Sequence, residues 1–282
     1  MDKIDQILNR IVKLPPAPQL LPRLLHTLTQ IDTDLGQIVD IISFDPALTA
    51  KLLQVCNSAV FRGTSRVSDV SEAVNRLGLQ AVYRIVAAVV GEKSFKLPGA
   101  ADVADTGELW RHSVIAAFAA QFLSEDLTPD NGLLFTAGLL HEIGHAILAD
   151  VFKKKPVRPV ADGVVNLQIL IDQEKRNYGV DHAELGARLL ERWNFSPVLV
   201  DCVRFHHHPA DAGEHATLAA CVNLGDAVAY GLEQETRGQT ITWLDPGSAL
   251  GILRLTTEDL PRYLGRIKEN LEFVEAMCRV QG

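Results

Sequence analysis

Apolar side chains recur at helical spacing along most of this 282-residue chain. Leucines at positions 20, 21, 24, 25 and 28 follow the i, i+3, i+4 spacing that places them on one face of an α-helix. Near the C-terminal end, one helix face is predicted to carry Leu260, Leu264, Ile267, Leu271 and Val274. In the N-terminal half, no run of residues alternates between apolar and polar side chains, as a half-buried strand would, and the remainder also reads as helix and loop. The sequence therefore predicts an all-α fold of helices and loops.

Local capping motifs divide this pattern into separate helices. Residues with short polar side chains, several of them followed by a proline or by a glutamate three residues later, mark the expected helix starts. The residues expected to cap helices are Asp34, Asp45, Asp69, Asp181 and Ser196. Apolar spacing predicts one further helix over residues 131–149, followed by a loop over residues 150–163.

A boundary between two helical subdomains is expected near residue 100. The stretch from Lys96 to Thr106 contains Pro98, Gly99 and several alanines and aspartates, which is typical of a connection. We therefore predict an N-terminal helical subdomain over residues 1–100 and a second helical subdomain over residues 101–282.

Charge and composition exclude several classes of protein. The formal net charge of −8 argues against nonspecific binding to nucleic acid, which needs a concentrated field of Lys and Arg. The four cysteines lie far apart and form no C-x-x-C pair, so neither a zinc knuckle nor a small disulfide framework is indicated. No basic and apolar leader begins the chain, and no window reaches about 18 consecutive apolar residues. We expect a cytoplasmic protein that binds neither a membrane nor nucleic acid.

The stretch His141-Glu142-Ile143-Gly144-His145 follows an apolar helical run and allows two interpretations. In the first, it is an H-E-x-x-H pattern, in which two histidines on one helix face hold zinc and the glutamate acts as a base. Against this zinc-protease interpretation, the further histidine of the metzincin pattern is missing and Gly144 is unfavourable inside a helix, although Glu174 could supply a distant third ligand. In the second, His141-Glu142 is a variant of the His-Asp pair of the HD superfamily of metal phosphohydrolases.

Further motifs occur in a fixed order, and the ordered set resembles an HDOD domain, a bacterial regulatory relative of the HD phosphohydrolases. They are Leu14-Pro15-Pro16, Asp45-Pro46-Ala47-Leu48 and the stretches 52–59, 73–78, 109–113, 137–144, 181–186 and 204–207. The resemblance extends over residues 10–230. It implies an all-α fold in which an HD-like helical bundle is preceded by a second, N-terminal helical bundle. It also implies a module of signal transduction, a class whose members often lack demonstrated hydrolase activity.

The resemblance also implies a metal site. In HD enzymes, a helix-borne histidine, the His-Asp pair and a distant aspartate bind a first metal, and further histidines bind a second metal in binuclear members. Carried over to this chain, the first set is His112, His141, Glu142 and Asp226, and the second set is His182, His206 and His207. Imidazole and carboxylate ligands together suit Fe, Mn, Zn or Ni.

Two residues depart from the pattern of active HD enzymes. Glu142 stands where the aspartate is expected, and its additional methylene moves the carboxylate outward by roughly 1 to 1.5 Å. His145 stands where many HD phosphohydrolases have a lysine that would face phosphate. If the site is catalytic, these two residues are expected to take part. We therefore expect a regulatory module that binds a signalling protein or a small effector in trans, without efficient hydrolysis. The alternative is a metal-dependent phosphohydrolase acting on phosphodiesters or nucleotides, and the zinc protease is the least favoured function.

Overall fold

The computed structural model describes residues 2–10, 20–28, 35–58, 61, 66–95, 106–127, 132–153, 160–161, 164–165, 167–244 and 247–278. Sixteen α-helices lie within these ranges. In chain order they are α1 (Lys3–Arg10), α2 (Leu20–Leu28), α3 (Leu35–Ser43), α4 (Pro46–Cys56), α5 (Val70–Leu77), α6 (Leu79–Phe95), α7 (Thr106–Leu127), α8 (Leu133–Leu140), α9 (Ile143–Phe152), α10 (Leu167–Tyr178), α11 (His182–Arg192), α12 (Pro197–Arg204), α13 (Ala216–Thr236), α14 (Ala249–Leu253), α15 (Leu260–Glu269) and α16 (Leu271–Cys278).

Helices dominate the described residues, so the all-α prediction is confirmed. Two strands of two residues each, β1 (Val160–Ala161) and β2 (Val164–Val165), pair antiparallel with Val160 opposite Val165. They lie in and just after the predicted loop over residues 150–163, between α9 and α10. This hairpin is the one sheet within the described ranges, and it leaves the fold class unchanged.

The helix starts predicted at Asp45, Asp69, Asp181 and Ser196 are confirmed. Each of these side chains accepts a hydrogen bond from the backbone N–H three residues later, at 2.8 to 3.4 Å. These bonds satisfy backbone donors that a helix leaves unpaired in its first turn. The fifth predicted cap, Asp34, lies outside the described residues.

The prediction of a single helix over residues 131–149 is wrong, because α8 ends at Leu140 and α9 begins at Ile143. His141 and Glu142 form a turn in which the backbone N–H of His145 donates to the carbonyl of Glu142 at 2.9 Å. This i→i−3 bond tightens the backbone at that point, where Glu142 has φ −93° and ψ 5°. Adjacent residues of a straight helix point about 100° apart. The turn allows the side chains of His141 and Glu142 both to lie in the interior.

Helices α7 and α13 form the central helix pair of the second half of the chain, and small residues let them approach closely. A Cβ atom at Gly225 of α13 would lie 2.7 Å from the carbonyl oxygen of Ala116 and 3.0 Å from the backbone nitrogen of Ala120. Gly138 of α8 is equally close to Ala117 on α7. Since a side chain at either glycine would force the helices apart, these glycines set the distance between the elements that carry His112, His141 and Asp226.

The N-terminal helices pack against this centre from two directions. Helix α6 packs on α4 and α5, and it also contacts α7 and α8. Helix α1 lies against α9 and α11, where Asp5 pairs with Arg192 at 2.7 Å. The boundary predicted near residue 100 falls in residues 96–105, outside the described ranges, and the division into two subdomains stays a prediction.

Judged by length and composition alone, the stretch Leu133–Phe152 is long and apolar enough to cross a membrane. However, 89% of its most apolar window is buried inside the protein. It comprises α8, the turn at His141 and Glu142, and α9. We therefore assign it to the core of the helical fold.

Candidate metal centre

Four predicted ligands come together as the first ligand group, which consists of His112, His141, Glu142 and Asp226. Their potential ligand atoms lie within 4.8 Å of one another. His112 comes from α7, Asp226 from α13, and His141 and Glu142 from the turn between α8 and α9. All four side chains are buried, with at most 3% of any residue exposed.

His112 is fixed between two carboxylates of α13. Its Nδ1 atom lies 2.7 Å from Oε1 of Glu233, and its Nε2 atom lies 2.9 Å from Oδ1 of Asp226. Asp226 and Glu233 are seven residues apart and therefore lie on the same face of α13, two turns from each other. Glu233 thus orients the imidazole so that Nε2 faces the first ligand group.

Three further histidines form the second ligand group, which consists of His182, His206 and His207. Their potential ligand atoms also lie within 4.8 Å of one another, and Nε2 of His182 is 2.9 Å from Nε2 of His207. His182 begins α11, whereas His206 and His207 lie in the turn after α12. The two groups are adjacent, since the rings of His141 and His206 are 5.1 Å apart. The structure therefore brings together all seven predicted ligands.

Two histidines have the hydrogen bonding expected of a metal ligand. Nδ1 of His141 lies 2.7 Å from the carbonyl oxygen of Gly138, and Nδ1 of His206 lies 2.6 Å from that of Val203. A ring nitrogen facing a carbonyl must carry the proton, which leaves the lone pair on Nε2 in a neutral ring. In both residues this Nε2 atom is buried and has no hydrogen-bond partner. Buried polar atoms are rarely left so, and outer-shell bonds of this kind orient ligating histidines.

The spacing around His141 also fits an ion. Its Nε2 atom lies 3.6 Å from Oε1 of Glu142 and 3.9 Å from Oδ1 of Asp226. These distances are too long for hydrogen bonds. They match atoms that share one ion, because each ligand atom then lies about 2.0 to 2.2 Å from it. The residues present therefore fit a divalent metal.

Charge in the centre favours the ligating forms of several side chains. Burial opposes ionisation of Asp226, but the neighbouring imidazole rings of His112 and His141 outweigh it and hold the pKa of Asp226 well below its ordinary value. Burial likewise opposes ionisation of Glu142, and the charge of His145 more than compensates, so the pKa of Glu142 is also far below normal. Burial lowers the pKa of His206 to about 3. Asp226 and Glu142 are therefore ionised and His206 is neutral near pH 7.

His145 lies beside the ligand groups, and both of its ring nitrogens bond to carboxylates. Its Nδ1 atom bonds to Oε2 of Glu142, and its Nε2 atom lies 2.7 Å from Oε1 of Glu174. Burial opposes a charge on this ring, but Glu142 and Glu174 outweigh it and raise the pKa of His145 to about 10. His145 is therefore an imidazolium that donates to two carboxylates. It supplies a cation at the position of the HD lysine, but this cation is paired with Glu142.

This geometry does not form the zinc-protease arrangement. His141 and His145 do not share one continuous helix, because the helix is interrupted at His141 and Glu142. Glu142 and Glu174 hold His145 as an imidazolium, and a ring that is protonated on both nitrogens has no lone pair for zinc. Gly144, unfavourable on helix propensity, has a packing role: a Cβ atom there would overlap the carbonyl oxygen of His182.

Two glutamates of the centre, one half-buried and one buried, escaped the sequence-based prediction of an HD-type site. Glu233 orients His112, and Glu174 bonds to both His145 and His182. The signal for Glu233 was its spacing of seven residues from Asp226. Glu174, considered only as a distant ligand in the protease interpretation, carries no comparable local signal, because it lies on a helix whose other charged residues are exposed.

Most of this chain matches a known protein family. The family model for the HDOD domain matches residues 14–209. This chain belongs to the HDOD family. The HDOD protein is 29% identical over 259 residues to an uncharacterised protein of Treponema pallidum (strain Nichols), a match covering 89% of this chain and 48% of that relative. It is also 25% identical to the ribonuclease Y of Opitutus terrae, over 56% of this chain and 23% of the enzyme. The chain thus spans about half or less of the length of these relatives.

Solved structures support the same fold. An HDOD protein of unknown function from Geobacter sulfurreducens superposes with a TM-score of 0.70 at 20% identity, covering 98% of this chain and 96% of that one. A Marinobacter aquaeolei VT8 protein, provisionally named a signal transduction protein, gives 0.75 at 22% identity over 99% of this chain and 65% of its own. A Shewanella amazonensis SB2B protein, provisionally named a metal-dependent phosphohydrolase, gives 0.55 at 20% identity over 99% of each chain. At these identities the likeness establishes the fold alone.

Proposed function

We propose that this HDOD protein is a bacterial signal-transduction module that binds a divalent metal and acts by binding a partner, without efficient hydrolysis. The observation that carries the proposal is the buried ion pair between Glu142 and His145. The resemblance to HD enzymes puts a metal-ligating aspartate at position 142. Here one oxygen of the carboxylate is held by an imidazolium, and only Oε1 faces His141. A carboxylate that is shared in this way is a poor bridge between two ions.

The burial of the centre supports the same proposal. His141, His182 and His206 have no exposed surface, and among the seven ligand residues His207 is the most exposed, being half-buried. A divalent ion held by these residues would supply Lewis-acid chemistry and an activated water. A phosphate ester would have to displace packed side chains to reach both ligand groups. The ligands are consequently better placed to stabilise a conformation than to process a substrate.

The test is metal analysis combined with turnover assays on the purified protein. We expect metal to be present, as purified or after reconstitution with Fe, Mn, Zn or Ni. We expect no turnover of phosphodiesters, cyclic dinucleotides or nucleotides with Mn, Fe, Ni or Mg. Robust metal-dependent turnover that is abolished by His141→Ala would refute the binding-only function, and a metal-free protein after reconstitution would refute the metal.

The second candidate function is a metal-dependent phosphohydrolase. The adjacency of the two ligand groups favours it, since the rings of His141 and His206 are only 5.1 Å apart and binuclear HD enzymes need neighbouring metals. In that case His112→Ala or Asp226→Ala should remove bound metal and activity together. Bound metal without turnover of any phosphate ester would reject this candidate while leaving the metal site intact.

We also propose that the module works in the cytoplasm and meets a signalling protein or a small effector in trans. Cys56, Cys202 and Cys221 are buried, and no disulfide joins the cysteines of the described residues, as expected in a reducing compartment. The metal is one of Fe, Mn, Zn and Ni, because the ligands combine imidazole with carboxylate.

A further inference from the structure

Helix α10 (Leu167–Tyr178) is anchored to the protein by few buried side chains. It buries Leu170, Ile171 and Glu174, while its other residues are half-buried or exposed. Its ion pair with Asp181, the residue that caps α11, joins Lys175 at 3.1 Å, but the lysine side chain is 55% exposed and the pair therefore contributes little. Besides the packing of Leu170 and Ile171 and of the Tyr178 ring on Phe152 at 4.5 Å, the buried polar contacts that hold α10 are those of Glu174.

Glu174 makes three hydrogen bonds next to the second ligand group. Its Oε2 atom accepts from the backbone N–H of His182 at 2.9 Å and lies 2.7 Å from Nδ1 of the same residue. Its Oε1 atom lies 2.7 Å from Nε2 of His145. The residue is 4% exposed, so these charge-assisted bonds form away from water. The carboxylate therefore fixes both the backbone and the ring of His182.

Because Nδ1 of His182 carries the proton that is donated to Glu174, Nε2 of the ring keeps its lone pair and faces the second ligand group. Nε2 of His182 faces Nε2 of His207 at 2.9 Å. A carboxylate behind a ligating imidazole fixes its tautomer and raises its basicity. The effect is reciprocal: an ion on Nε2 withdraws charge from the ring and makes Nδ1–H a stronger donor to Glu174. Any such coupling acts equally in both directions.

We infer that Glu174 is the positioning residue of His182 and that, through it, occupancy of the second ligand group controls how firmly α10 is held. An ion bound by His182, His206 and His207 tightens α10 on the protein, and loss of the ion loosens it. This inference rests on the proposed function, because it gives the metal a regulatory role.

Hydrogen exchange of the α10 amides, measured with and without Zn²⁺, tests the inference on the full chain. In the wild type, we expect exchange over residues 170–178 to slow by about fivefold or more on adding Zn²⁺, the lower range of measured couplings between sites. Glu174→Gln should abolish this slowing and weaken Zn²⁺ binding to the second group by about 10- to 100-fold, as for other outer-shell carboxylates. Asp172→Asn removes a charge from the exposed face of the same helix and should behave as wild type.

Two further variants separate the ligand groups and protect the test against misfolding of Glu174→Gln. His207→Ala removes a half-buried ligand of the second group without touching Glu174, and it should abolish the Zn²⁺-dependent slowing. His112→Ala damages the first group and should leave the slowing intact. If the wild type binds Zn²⁺ through His207 but α10 exchanges at an unchanged rate, the inference is overturned and the metal site stands. If the wild type binds no Zn²⁺, the inference is overturned, and the proposed function fails as well if Fe, Mn and Ni are not bound either.

Discussion

Replacing Gly144 with alanine is expected to remove the second ligand group. The new Cβ atom would overlap the backbone carbonyl of His182, which belongs to the first turn of α11. Because this neighbour is backbone, it cannot rotate away, and α9 and α11 must separate. Overpacking of this kind costs about 1–3 kcal/mol, and a backbone collision belongs at the upper end. The separation would move His182 away from His206 and His207.

Urea unfolding and zinc stoichiometry measure the two effects of Gly144→Ala. We expect a lower free energy of unfolding and a loss of the zinc bound through His207. Gly265→Ala is the matched control: Gly265 lies inside α15, and nothing lies within 4 Å of a Cβ atom there. That change should stabilise the protein by about 0.4–1 kcal/mol and leave zinc binding unchanged. If Gly144→Ala and Gly265→Ala have the same free energy of unfolding and bind the same amount of zinc, the close approach at Gly144 is unimportant.

Replacing His145 with alanine is expected to destabilise the metal-free protein strongly. The imidazolium lies between Glu142 and Glu174, which are 3% and 4% exposed. Removing it leaves two buried carboxylates near each other without their shared counter-charge. Breaking a buried pair by deleting one partner costs about 3–5 kcal/mol.

The same variant tests whether His145 withholds Glu142 from metal. In His145→Ala the carboxylate is released, so Zn²⁺ should raise the unfolding midpoint more than it does in wild type. His208→Ala changes an exposed histidine of the same region and should match the wild type with and without Zn²⁺. An unfolding midpoint of His145→Ala equal to that of wild type would contradict the buried ion pair.

Features with a local physical cause could be predicted from the sequence. The caps at Asp45, Asp69, Asp181 and Ser196 depend on a side chain and a backbone N–H three residues away, so the sequence alone contains the interaction. The ligand residues could be predicted for a different reason. The ordered motifs resemble a family, and the resemblance assigns roles to residues as distant as His112 and Asp226.

Features that depend on tertiary packing could not be predicted. The interruption at His141 and Glu142 lies inside a continuous apolar pattern, and it forms because both side chains have partners in the interior. In the sequence, Glu174 cannot be distinguished from the other charged residues of an amphipathic helix. Its role depends on the position of α11, which places His182 against it. For the same reason, a glycine such as Gly144 looks like a helix defect when its neighbour on α11 is unknown.

The burial of the first ligand group has a kinetic consequence. His112, His141, Glu142 and Asp226 are each at most 3% exposed, so neither an ion nor a chelator reaches them without local opening of the helices. An ion at this position would enter most easily while the chain folds, when its ligands are still accessible. Its residence time would then follow the opening rate of the protein and not the ligand affinity. The metal bound by the first ligand group would then depend on which metals are available when the protein is synthesised. Later changes in free metal concentration would first affect binding at the half-buried His207.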